Sequence, residues 1–286
     1  MTDDSIDLSC PVCTEPLTAI RQPTAALTCP GGHRFDAAKQ GYFNLLTGRG
    51  TSFREDTSAM VEARAQFQAA GHYAPLARAL AEEAVSVHQG ALPRILDAGA
   101  GTGYYLDAVA GAFDAATGSR PLALALDISR HAMRRAAKLP RTQALVWDLW
   151  RRLPVADGGV DLLLDVFAPR NGGEFARVLA PGGHALVATP LPEHLGEAAE
   201  SLGLLSIGAG KEEAVADALG DDFEYLRTRE VRTPLHLLDD DDAVRLALMG
   251  PAGHHRDAAA IRELLTVHPV PPVVTAAFRI QVFLRR

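Results

Sequence analysis

All three cysteines of the chain, Cys10, Cys13 and Cys29, fall within its first 29 residues and are followed by His33, in the spacing C-x2-C-x15-C-x3-H. Thiolate and imidazole are donors that Zn²⁺ prefers, four to a tetrahedron, and a two-residue spacer lets one tight turn aim two thiolates at one ion. Cys10-Pro11-Val12-Cys13 and Cys29-Pro30-Gly31-Gly32-His33 read as two such turns, and residues 16–27 are long enough for a hairpin between them. With all four positions protein-filled, no place remains for substrate, so the expected zinc is structural. Disulfides are the alternative, but three cysteines leave one unpaired. The opening Met1-Thr2-Asp3-Asp4 also lacks the basic and apolar regions of a secretory leader, so a cytoplasmic protein is expected.

A second constellation ends an apolar run: Asp97-Ala98-Gly99-Ala100-Gly101-Thr102-Gly103. Gly99 and Gly101 let backbone approach a ligand, and Gly103 lets the following helix pack close to the strand. A dinucleotide fingerprint would need glycine three residues after Gly101, where Tyr104 stands, and no Gly-Lys-Ser/Thr follows to make a P-loop. The remaining form, D-x-G-x-G-x-G, resembles that of S-adenosylmethionine-dependent methyltransferases. That likeness places Asp97 near the amino-acid part of the cofactor. Asp127, thirty residues on, could accept both ribose hydroxyls, and Asp148 could face the adenine amino group. Leu179-Ala180-Pro181-Gly182-Gly183 resembles the turn that often precedes the fifth strand of that superfamily. Each aspartate taken alone is more often a helix cap than a ligand; it is their order and spacing together that favour the methyltransferase fold.

The elements that must hold these residues follow from periodicity. Residues 58–70 place Met60, Ala63, Phe67 and Ala70 on one helical face, with Gly71 placed to end it, and 76–87 form a second amphipathic stretch. Short apolar runs at 94–96, 122–126, 144–147, 160–166 and 185–188 alternate with helical segments such as 129–138, which predicts right-handed crossovers and a parallel sheet covered on both faces. The expected fold class is α/β: a doubly wound, mostly parallel seven-stranded class I methyltransferase sheet with an N-terminal zinc-ribbon-like module. The expected division is 1–50 for the metal module, 51–90 for a linker and helical segment, and 91–286 for the methyltransferase domain. Residues 278–284 alternate enough for an antiparallel closing strand. The run Asp239-Asp240-Asp241-Asp242 reads as a helix start. No apolar run approaches the roughly 20 residues of a membrane span. The formal charge of −7 argues against general adhesion to nucleic acid, although residues 14–54 carry five basic side chains (Arg21, Arg34, Lys39, Arg49, Arg54) against two acidic.

The stretches Cys29-Pro-Gly-Gly-His33-Arg-Phe35-Asp36, Ala38-Lys39-Gln40-Gly41-Tyr42-Phe43-Asn44-Leu45-Leu46, Ala69-Ala70-Gly71-His72-Tyr73-Ala74-Pro75-Leu76 and Asp165-Val-Phe167-Ala168-Pro169-Arg170-Asn171 resemble those of the 23S ribosomal RNA guanine-N1-methyltransferases. Asn171, with Leu202-Gly203-Leu204-Leu205 and Lys211-Glu212, looks most like the Gram-positive and actinobacterial branch, which includes the tylosin and mycinamicin resistance proteins. The resemblance implies zinc on Cys10, Cys13, Cys29 and His33, and S-adenosylmethionine touched by Tyr73, by Gly101 and Thr102, and by His194. It further implies a homodimer and a target guanine in the hairpin loop of helix 35, in domain II of 23S rRNA along the peptide exit tunnel, where methylation weakens macrolide binding.

Guanine N1 carries a proton that must leave before or during methyl transfer, and Asp165 and His72 are the candidates for assisting that loss. N1 also lies on the Watson–Crick edge, so the target must be an unpaired or flipped base. Arg130, Arg134 and Lys138 form an i, i+4 row that reads either as an RNA-facing stripe or as the solvated face of a crossover helix. Two rival readings stay open: a small-molecule methyltransferase with a structural zinc knuckle, and a non-catalytic zinc-ribbon RNA binder.

Overall fold

The computed structural model describes residues 5–20, 24–48, 50–88, 90–204 and 211–286. Met1 to Asp4, Arg21, Arg49 and Leu205 lie outside the described residues, as do the side chains of Lys211 and Glu212. The chain begins with a four-stranded antiparallel sheet in the order β1 (Leu8–Ser9), β2 (Pro16–Ile20), β3 (Ala26–Thr28), β4 (Arg34–Asp36). The hairpin expected over 16–27 is the β2–β3 pair, with Thr18 opposite Thr28.

A short β5 (Phe43–Asn44) leads to two helices, α1 (Ser58–Ala69) and α2 (Ala74–Val87). Thr57 caps α1 by accepting the Met60 N–H, and Gly71, at φ +85°, reverses the chain after it. Pro75 sits in the first turn of α2, where its missing N–H is harmless. The alternating portion runs β6 (Arg94–Ala98), α3 (Tyr104–Thr117), β7 (Leu122–Asp127), α4 (Arg130–Ala136), β8 (Thr142–Val146), β9 (Val160–Val166), α5 (Gly172–Val178) and β10 (Leu179–Pro190). The remainder is α6 (Ala199–Leu202), α7 (Lys211–Leu219), β11 (Phe223–His236), α8 (Asp240–Leu248), α9 (Ala258–Val267) and β12 (Val273–Arg285). Asp239 caps α8 by accepting the Asp242 N–H at 2.9 Å, as the acidic run suggested.

The main sheet has the order β11-β12-β10-β9-β6-β7-β8-β5. Strands β10 to β5 are parallel to their neighbours, and β12 is antiparallel to both β10 and β11. The doubly wound, mostly parallel class stands, but with eight strands rather than seven. The extra one is β5, supplied by the N-terminal segment and paired with β8, Phe43 opposite Leu145. The turn Ala180-Pro181-Gly182-Gly183 does not precede the fifth parallel strand as a separate element; it interrupts β10 between Leu179 and His184.

Strand alternation divides the core into two faces. Ile95, Ala125, Leu164 and Leu186 pack with α2, α3, α4 and α8. Leu96, Leu126, Leu163 and Val187 pack with α5, α7 and the N-terminal module, whose Leu8, Cys10, Leu27, Cys29 and Phe35 belong to the same buried cluster. A Leu8–Val155 bridge and the Ser9 N–H to Pro154 carbonyl bond (3.2 Å) fix that docking. Among the described residues, no helix is long and apolar enough to cross a membrane.

Candidate functional site

Cys10, Cys13, Cys29 and His33 converge so that one donor atom of each lies within 4.8 Å of the others. The Cys13 and Cys29 sulfurs are 3.5 Å apart, and His33 Nδ1 stands 3.3 Å from Cys29 Sγ and 3.6 Å from Cys10 Sγ. Ligands about 2.0–2.3 Å from a tetrahedral ion are separated by distances of this size. All three cysteines are free, which removes the disulfide alternative. Gly31 packs closely on the cradle: a Cβ there would lie 3.3 Å from Cys13 Sγ and 3.6 Å from His33 Nδ1, so a side chain would press on the ligands. The first turn closes through the Thr14 N–H to Cys10 carbonyl bond (2.9 Å), with Thr14 itself at φ +64°.

The glycine hairpin follows β6 at the point where strand order reverses, β7 lying to one side and β9 to the other. Gly99, Gly101 and Gly103 all have positive φ. Gly99 answers to packing as much as to a ligand: a Cβ there would come within 2.3 Å of the Ala168 Cβ. Gly103 opens α3 in the left-handed region, and its close neighbours are Leu139 and Ala136 of the next crossover. No side chain caps α3, so its first N–H groups are available to a ligand.

The carboxylates divide by their partners. Asp127 accepts the Gly101 N–H on Oδ2 and the Ser129 N–H on Oδ1, each at 2.8 Å, so it holds the hairpin in shape and keeps one lone pair per oxygen. Asp148 takes the Trp150 N–H at 3.0 Å and the Thr51 hydroxyl at 2.8 Å. Asp97 and Asp165 are buried; the carboxylate oxygens of Asp97 have no hydrogen-bond donor among the described residues, and Asp165 has only the Ala168 backbone N–H within reach, in poor geometry. Burial, and then the nearby Asp127, pushes the Asp97 carboxyl up to about 8. Burial raises Asp165 well above the usual carboxylate range, opposed by Arg170, whose Nε stands 3.6 Å away. Two buried, donor-poor acids beside a glycine hairpin suit a cationic ligand, whose charge would let them ionise.

Tyr73 and His194 meet: Oη lies 3.3 Å from Nε2, with the Tyr73 ring edge-on to Phe278. The Ala277 N–H donates to His194 Nδ1 at 3.1 Å, so the ring proton sits on Nε2 and is given to Tyr73. Burial lowers His194 to about 4, in keeping with a neutral ring. Thr102 donates its hydroxyl to Gln68 Oε1 at 2.7 Å, which ties the hairpin to α1. His72 is engaged elsewhere: its Nε2 lies 3.3 Å from Asp242 of α8 and its ring packs on Phe67.

A zinc-ribbon family model, described as RlmA, N-terminal, matches residues 8–48. A protein of Micromonospora griseorubida, named as a 23S rRNA (guanine-N1)-methyltransferase, is 45% identical over 292 residues, covering 96% of this chain and 95% of its own. The chain belongs to the 23S rRNA (guanine-N1)-methyltransferase family. A second member, the 23S rRNA (guanine(748)-N1)-methyltransferase of Streptomyces fradiae, is 43% identical over 274 residues, covering 94% of each chain. The methyltransferase fold of the family is also that of a Bacillus halodurans protein described as a methyltransferase (TM-score 0.50, 14% identity, 72% of this chain and 97% of the other). S-adenosylmethionine and a structural zinc ion are accordingly its cofactors.

Two side chains at the crevice of this family member escape sequence reading. Arg64 of α1 donates to the Met249 carbonyl (2.6 Å) and pairs with Asp56 (2.7 Å), and a Cβ on Gly101 would lie 3.7 Å from its Nη1. Its cue, a lone arginine in an otherwise half-apolar helix, is indistinguishable from a surface charge. Phe167 leaves β9 at φ +58° with its side chain 43% exposed. Nothing in its type announces a left-handed backbone.

Proposed function

We propose that this protein transfers the methyl group of S-adenosylmethionine to N1 of a guanine in the helix 35 hairpin loop of 23S rRNA domain II. In that role it acts in the cytoplasm as a homodimer, and the added methyl contributes to resistance against macrolides of the tylosin and mycinamicin type. The observation that carries the reading is the union, in one buried core, of a Cys₃His centre with a sheet whose switch point holds two donor-poor carboxylates. Its near-full-length likeness to a Streptomyces fradiae enzyme named for guanine 748 supports the choice of target.

When bound, S-adenosylmethionine supplies a methyl on a positive sulfur that becomes neutral on transfer. Gly99, Gly101, Thr102 and Gly103 would form the floor of its site, and Asp97 would hold its ammonium. Arg64 would hold its carboxylate, Asp127 its ribose hydroxyls and Asp148 its adenine amino group. Tyr73 and His194, locked together, wall the opposite side. Asp165, held as the carboxylate by Arg170, would accept the proton that leaves guanine N1 and become the neutral acid. His72, paired with Asp242, supports the Tyr73 segment instead of taking that proton.

The division into 1–50, 51–90 and 91–286 is one of roles: the metal module grips RNA, the helical segment covers the cofactor, and the remainder builds the crevice. Gln40 of the module and His131, Arg134, Arg135 and Lys138 of the α4 region line one open pocket. Arg135 is paired with Glu62 and Arg130 with Glu55, which among the described residues leaves Arg134 and Lys138 to meet phosphate. Incubation with labelled S-adenosylmethionine and unmodified 23S rRNA, followed by mapping of reverse-transcription stops, tests the reading. A stop at one loop guanine is the expected result, and absence of label in RNA defeats it.

A further inference from the structure

Of the large apolar side chains exposed among the described residues, Phe167 alone stands on left-handed backbone. Such a conformation is unfavourable for a bulky residue and persists only where neighbours over-determine it. They do so here. The Phe167 N–H donates to the Ala188 carbonyl at 3.1 Å, and Ala168 fills the space a Cβ on Gly99 would take. Asn171 donates its side-chain N–H to the Leu149 carbonyl at 2.9 Å, and Arg170 reaches back to Asp165.

The pinned ring meets Tyr73, Tyr105 and Phe278 at centroid distances of 6.5, 6.2 and 5.6 Å, all edge-on or tilted. Among the described residues no ring stacks parallel on it, and the residue is 43% exposed, the room a planar group would use. Its place in the sheet says which one. Asp127 ends β7 and Asp148 follows β8, on one side of the glycine hairpin, where the proposed placement puts the cofactor's adenosine. Phe167 follows β9, on the other side, two residues beyond Asp165.

We infer that Phe167 is the platform on which the extruded guanine stacks, its N1 edge turned toward Asp165 and the cofactor's methyl; this rests on the function proposed above. Stacking on an aromatic face is indifferent to base identity and so positions the base while other groups select it. RNA affinity comes chiefly from phosphate contacts elsewhere, so loss of the platform falls on kcat and leaves KM for RNA near its original value.

The test compares Phe167→Leu, Phe167→Tyr and Phe167→Gly with the wild type, using a hairpin-loop RNA, S-adenosylmethionine affinity and thermal melting. Leu keeps the backbone demand and most of the volume but has no π face. Its kcat falls roughly ten- to a hundredfold, about 1.4–2.8 kcal/mol at 1.4 kcal/mol per tenfold, with cofactor affinity unchanged. Tyr stays within a few-fold of wild type. Gly relieves the backbone demand but gives up the ring's packing on Tyr73, Tyr105 and Phe278, so a loss of activity larger than its drop in melting temperature and cofactor affinity accounts for separates stacking from folding. Wild-type activity in the Leu variant, a Tyr variant as impaired as Leu, or a parallel loss of cofactor affinity overturns the platform alone. A wild type that leaves the loop guanine unmodified overturns the proposed function, and the platform with it.

Discussion

Asp97→Asn tests the charge logic of the crevice. In the folded chain burial and Asp127 push the Asp97 carboxyl up to about 8, whereas in the unfolded chain it ionises near 3.9. Between those values folding takes up a proton. Stability from this group is therefore greatest below about pH 4, falls by about 1.36 kcal/mol per pH unit as pH rises, and levels off above about pH 8. At pH 7 the accumulated cost is up to about 4 kcal/mol, and on the order of 2 once relaxation and water entry are allowed. Asparagine has the same shape and no charge, so the slope vanishes. The cofactor-free variant melts with wild type near pH 4 and several degrees above it at pH 8. Cofactor affinity moves the other way, because the ammonium that restores the ionised Asp97 finds only an amide, and a charge-assisted bond of about 1.5–3 kcal/mol is lost. Melting curves from pH 4 to 8.5, with and without S-adenosylmethionine, and calorimetric titration at each pH read both effects. A variant less stable than wild type at pH 8, or one that binds the cofactor equally well, refutes the picture of a donor-poor acid awaiting a cation.

Thr14→Gly relieves a β-branched residue held at φ +64° in the first metal turn and raises the melting temperature of the zinc-loaded protein, by roughly 1 kcal/mol in stability. Arg64→Gln weakens S-adenosylmethionine binding about tenfold or more, and weakens a decarboxylated analogue much less, which calorimetry distinguishes. Cys13→Ser, which alters the half-exposed ligand rather than the buried Cys10 or Cys29, loses zinc and RNA affinity while cofactor affinity stays within a few-fold. Metal analysis, filter binding and calorimetry measure the three quantities, and equal loss of RNA and cofactor binding contradicts the assignment.

What could be read from sequence was local in origin. The metal spacing specifies two tight turns whatever lies elsewhere, and the glycine hairpin carries its own backbone demands, so both were legible with their ligands. Asp127 and Asp148 were legible as strand-end acids because the apolar runs before them ended where the strands do. Residues whose meaning depends on distant chain were not. Phe43 and Asn44 make too short a strand to show periodicity, and their pairing with β8 is decided by the docking of the whole module. The partner of His72 is Asp242, far along the chain, and the pairing of Tyr73 with His194 depends on β12 presenting the Ala277 N–H. Arg64 reaches the hairpin only because α1 packs on α8, whose C-terminal Met249 supplies its carbonyl anchor.

The two-faced core also explains how a structural metal bears on a crevice it does not touch. Along β6, Ile95 packs on the helical face and Leu96 on the face shared with the metal module. Asp97, two residues after Ile95, thus points to the side of α3 and Tyr73, away from the zinc. The link between module and cofactor runs instead along the sheet's far edge. There β5 pairs with β8, the Leu45 N–H reaches the Val146 carbonyl at 3.3 Å, and Thr51 holds Asp148. That path ends at Asp148, which the proposed placement gives to adenine, while Arg64 and the Tyr73–His194 pair, given to the methionine end, are anchored by α8 and β12. In that placement loss of zinc loosens the adenine side first, and the sulfonium end is the part of the cofactor site best insulated from the metal.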